Sequence, residues 1–65
     1  MIDQIAIRMP GGFNLVTPSA WQSLPRQERT DLIRADRVEF LEDGETVPLR
    51  TALTMLKAAF APAFA

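Results

Sequence analysis

Hydrophobic and polar residues alternate at the start of the chain. In IDQIAIRM, residues 2–9, Ile5, Ile7 and Met9 fall on one side and Gln4, Ala6 and Arg8 on the other. A period of two marks a half-buried strand. Pro10-Gly11-Gly12 follows. Proline presets φ at the first central position of a type II turn, and glycine supplies the positive φ at the second. Residues 4–9 are therefore expected to form a hairpin with 12–16, with Phe13 and Leu15 turned toward the core.

The pattern then changes. Thr17-Pro18 is a helix-start signal, a hydroxyl cap followed by proline at the first helical position. That helix is short, about 18–23, because Pro25 interrupts it and opens a second helix, PRQERTDLIRAD. Leu32 and Ile33 supply its buried side, joined by Trp21 and Leu24, and Asp36 stands where a C-terminal cap in the left-handed region is expected. RVEFL, residues 37–41, is again strand-like with Val38 and Phe40 inward. A return strand, Glu45 to Val47, ends at Pro48. A two-residue Asp43-Gly44 turn would set Glu42 opposite Glu45, so a three-residue Glu42-Asp43-Gly44 loop with a glycine bulge is expected instead.

Pro48 opens the last helix, about 49–61. Leu49, Ala52, Leu53, Leu56 and Phe60 share a face, spaced 3, 4, 7 and 11 residues from Leu49, with Arg50, Thr54 and Lys57 opposite. Pro62 ends it and leaves Ala63, Phe64 and Ala65. The order β-β-α-α-β-β-α defines an α+β fold. We expect one small domain over residues 1–65, with two hairpins in an antiparallel sheet and 61–65 as a flexible or partner-docked tail. Its expected core is Ile5, Ile7, Phe13, Leu15, Trp21, Leu24, Leu32, Ile33, Val38, Phe40, Leu53 and Leu56.

Composition narrows the function. With 65 residues, the chain sits in the size range where folds are marginal and lean on disulfides, metals, tight packing or a partner. It has no Cys and no His, which removes disulfides and the ordinary zinc and iron–sulfur ligands. Packing and association remain, and 48% hydrophobic residues argue against disorder. No apolar run reaches the roughly 18 residues of a membrane span, so no membrane partner is expected. Without a charged-then-apolar leader pattern, the expected location is cytoplasmic.

The candidate chemistry is sparse. Glu42, Asp43 and Glu45 do not meet the ligand spacing of a calcium loop and read as a solvated hairpin tip. Asp31 lies three residues before Arg34 as a surface ion pair. His, Cys and Tyr, the usual bases and nucleophiles, are missing. Pro10-Gly11-Gly12 leads into a strand rather than into the helix N-terminus that a phosphate cradle needs. Neither catalysis nor a cofactor is expected. Trp21 reads as the centre of the core, with a binding role as the alternative.

Arginine outnumbers lysine six to one, a bias that suits interface ion pairs or phosphate contacts. Arg8, Arg26, Arg29 and Arg37 are the phosphate or nucleic-acid candidates, against a solvated face balanced by Glu28, Asp31, Asp36 and Glu39. The net charge of −1 gives no general basic bias. GFNLVTPSAWQSL followed by ADRVEFLEDGETVPLR resembles the AbrB-like swapped-hairpin regulators, with Thr17-Pro18 and Ala35-Asp36-Arg37-Val38 at that family's turn positions. Ala35 replaces the family's turn glycine, and Pro25 to Ile33 is an insertion. The resemblance implies a DNA-binding dimer. A sensor of nucleotides or other small ligands through the arginines is a further alternative.

The leading expectation is a non-enzymatic interaction or regulatory module, a homodimer or a subunit that binds a protein partner through its apolar C-terminal helix. Leu53, Leu56, Phe60 and Phe64 would carry the contact, with Arg50 and Lys57 as its polar rim.

Overall fold

Strand β1 (Gln4–Met9) turns at Pro10-Gly11 into β2 (Gly12–Val16). This is a computed structural model that describes residues 1–60. The side chain of Phe60, the expected stop at Pro62, and Phe64 in the tail 61–65 lie outside the described residues. Gly11 has φ +93°, as the second central position of a type II turn requires. Cα pairing runs from Ile5–Val16 to Met9–Gly12.

Helix α1 (Pro18–Ser23) starts at Thr17, whose Oγ1 accepts from the Ala20 N–H at 3.1 Å. Removing this cap costs about 1 kcal/mol in typical cases. Thr17→Ala is expected to lower the unfolding free energy by that amount, read as a lower urea midpoint with the slope unchanged. An unchanged midpoint would show that the cap contributes nothing. Helix α2 (Arg26–Arg34) begins one residue after Pro25, whose carbonyl accepts from Arg29 N–H at 3.1 Å. It ends in a Schellman pattern. Asp36 at φ 56° donates its N–H to Ile33 O, and Arg37 donates to Leu32 O, both at 3.0 Å. Strands β3 (Val38–Glu42) and β4 (Glu45–Val47) follow, then helix α3 (Leu49–Phe60), where Pro48 O accepts from Ala52 N–H at 2.8 Å.

The four strands form one antiparallel sheet in the order β2-β1-β3-β4, and the chain is an α+β protein. Ile2, Ile5, Ile7, Trp21, Phe40, Ala52 and Leu56 form the core, with Leu24, Leu32, Ile33 and Met55 packed on it. Residues of all three helices meet the same sheet face, so one face is covered and the other is open. Asp3 N–H donates to Leu41 O although Leu41 already faces Gln4. Two residues opposite one shift the alternation, as in a β-bulge, and Ile2 joins Ile5 in the core.

Three expectations fail here. Phe13 and Leu15 are not core residues but 59% and 57% exposed. The two-residue turn pairs Met9 with Gly12, so Phe13 pairs with Arg8 and Leu15 with Ala6. Cross-strand partners share a face, and Arg8 and Ala6 alternate away from Ile5 and Ile7. Second, the β3–β4 turn is two residues, and Glu42 does pair with Glu45. Asp43 (φ 51°) and Gly44 (φ 83°) adopt the two positive φ values of a type I′ turn, for which Asp-Gly is a strong signal. Around this turn the Met1 amino group contacts Glu42, and Asp3 accepts from the Asp43 N–H at 3.2 Å. Third, Leu53 is 41% exposed and not part of the core. The line of α3 that meets the sheet is Ala52, Met55 and Leu56.

Candidate interaction surfaces

The rotation of α3 decides its surface. At about 100° per residue, Leu49 and Leu53 lie on one flank and Ala52 with Met55 on another. Ala52 is fully buried and lets the helix backbone come close to the sheet. Leu49 and Leu53 are left 44% and 41% exposed, one turn apart. Leu56, expected at the interface, is 3% exposed and is spent on the core. Arg50 and Lys57 are exposed beyond the leucines, as a polar border requires. Phe60 closes α3 in sequence, but its side chain and Phe64 lie outside the described residues.

The arginines do not converge. Arg8 and Arg37 brace one corner. Arg8 Nη2 donates to Asp36 O at 3.1 Å, while Arg37 Nε and Nη2 donate to Arg8 O at 3.1 and 2.8 Å. Arg29 ties α2 to α1, with Nη1 donating to Gln22 Oε1 at 2.6 Å, and its Nε is covered with no acceptor. Arg26 is exposed at the first turn of α2. Arg8 belongs to the open sheet face and the α2 pair to the helical layer on the other side.

A groove of about 360 Å³ runs between β1–β2 and the helices, walled by Ile7, Val16, Leu24 and Leu32, with Asn14, Glu28 and Arg37 as its polar groups. Its size is at the lower end of small-molecule sites. Of the arginine set only Arg37 reaches it, and the Glu28 carboxylate opposes a phosphate there. Among the described residues no group of three Asp or Glu side chains is placed to hold a metal ion, and no helix is long and apolar enough to cross a membrane.

The open sheet face is the surface that pattern reading missed. Phe13 and Leu15 stand on it, cross-strand from Arg8 and Ala6. The signal was present in the turn length, since a two-residue loop after Met9 fixes which residues share a face. No family model, curated protein or solved structure matches this chain.

Proposed function

We propose that this chain is a non-enzymatic protein-interaction module, a regulatory subunit whose partner-facing surface is the Leu49–Leu53 stripe of α3. One observation carries the reading. Two leucines one turn apart stay more than two-fifths exposed on a helix whose neighbouring Ala52 and Leu56 are buried. Exposed apolar residues with a polar border are the form of a contact surface. Arg50 and Lys57 supply that border. A cytoplasmic setting fits a chain without cysteine.

The DNA-binding reading has less support, because Arg8, Arg29 and Arg37 are engaged within the fold. The test is the mass of the native assembly from source cells for wild type and a Leu49→Ser/Leu53→Ser variant. Both side chains are partly exposed, so the fold is expected to persist at a cost of roughly 1–2 kcal/mol while the assembly dissociates. An unchanged assembly in the variant rejects the stripe. Salt-sensitive binding of duplex DNA that is lost in Arg26→Ala/Arg29→Ala would replace this reading with the DNA-binding one.

A further inference from the structure

We propose that the outer edge of β2 pairs antiparallel with β2 of a second copy, making one continuous eight-stranded sheet across a two-fold axis at Asn14. Arg8 N–H donates to Arg37 O at 2.7 Å, and Arg8 O accepts from the Arg37 side chain. Both backbone groups of Arg8 therefore point away from β2. In an antiparallel pair, hydrogen-bonded and non-hydrogen-bonded partners alternate. Arg8–Phe13 and Ala6–Leu15 are thus non-hydrogen-bonded pairs, and Met9–Gly12, Ile7–Asn14 and Ile5–Val16 are the bonded ones. It follows that the N–H and C=O groups of Phe13 and Leu15 point outward from the sheet edge. Among the described residues nothing pairs with that edge.

The residues with outward backbone groups are also those with exposed apolar side chains. Two copies related by a two-fold axis through Asn14 pair Phe13 of one with Leu15 of the other, twice. Each pair exchanges two hydrogen bonds, four in all. On the open face Phe13 and Leu15 of both copies form one apolar cluster. Each cross-sheet row then reads Ala6, Leu15, then the second copy's Phe13 and Arg8, so no like charges meet. GFNLV itself carries no charge and no proline.

Exposed edges are usually blunted by shortness, charge or proline. The opposite edge shows all three. β4 has three residues, starts at Glu45 and is stopped by Pro48. β2 shows none. A second copy suits this edge better than an unrelated chain because the strand is complementary to itself in backbone pattern, in side chains and in charge. This surface is separate from the α3 stripe and does not depend on it.

The test combines sedimentation with amide exchange on the full chain, from about 10 μM to about 1 mM, the range for a small interface. The expected result is a monomer–dimer equilibrium in which the Phe13 and Leu15 amides gain protection with concentration. The Asn14 amide, bonded to β1, should be protected throughout. Leu15→Lys is expected to weaken the dimer at least about ten-fold by setting a charge beside the second copy's Phe13, with an unchanged circular dichroism spectrum. Phe13→Lys serves as the second variant, and Leu53→Lys should leave the dimer intact. A monomer at every concentration overturns the proposal. So does a dimer in which these two amides exchange as fast as in the monomer, or one that is lost with Leu53→Lys alone. Protection of both amides in a monomer, independent of concentration, overturns it too, since the edge is then covered from within the chain.

Discussion

Replacing Trp21 by alanine is expected to abolish cooperative unfolding at room temperature. Trp21 is 1% exposed and meets Phe40 edge-on, with ring centroids 5.5 Å apart and planes at 88°. It reaches the sheet from α1, so its loss detaches a helix as well as opening a cavity. Truncating a buried Trp or Phe costs about 3–5 kcal/mol. A chain of this length holds roughly 3–10 kcal/mol in total, at about 0.05–0.15 kcal/mol per residue. The cost is therefore comparable to the whole stability. The measurement is urea unfolding followed by circular dichroism, since the fluorophore itself is removed. A cooperative transition displaced by less than about 1 kcal/mol would show that the Trp21–Phe40 contact is not the centre of this core.

The second large effect distinguishes two ways of docking α3. Ala52→Leu is expected to destabilise the fold by about 1–3 kcal/mol, the usual cost of forcing methylenes into a packed site. Leu53→Ala is expected to change stability by less than about 1 kcal/mol, because much of its side chain is already in water. Hydrophobic periodicity alone places Leu53 in the core and so ranks Leu53→Ala as the more damaging change. The docked helix reverses that order, since Ala52 is the residue against the sheet and is fully buried. Chemical denaturation of both variants measures the ranking. If Leu53→Ala is the more destabilising, the helix packs through the leucine stripe and the surface proposed for a partner does not exist.

Both hairpins, the short helix at Thr17-Pro18 and the reversal at Asp36 were legible in the sequence because each rests on a local signal. Proline, glycine, a capping hydroxyl and a residue tolerant of positive φ act within a few residues. The α+β class follows from the order of those elements. The second turn was misread for a reason of magnitude. Opposed carboxylates in water cost a few tenths of a kcal/mol to about 1 kcal/mol, and the type I′ preference of Asp43-Gly44 prevails. The candidate site was less legible. Spacing marked the α3 apolar stripe but placed Leu53 and Leu56 in both the core and the contact surface and left Leu49 out of the contact, whereas Leu56 is buried and Leu49 and Leu53 are exposed. The four arginines looked like a set along the chain, but Arg8 and Arg37 brace one corner, Arg29 ties α2 to α1, and Arg26 is exposed at the first turn of α2.

By itself, then, the sequence determined where strands and helices begin and end, and that no cysteine or histidine chemistry is available. Only the tertiary structure decided which side of each element is buried. Periodicity identifies an apolar stripe without saying which neighbour covers it, and this sheet has helices on one face alone. The face of β2 depends on its register against β1, and the buried line of α3 depends on how closely Ala52 lets it approach. The first contact is local and follows from the two-residue turn, the second is long-range in sequence, and together they leave Phe13, Leu15, Leu49 and Leu53 in water.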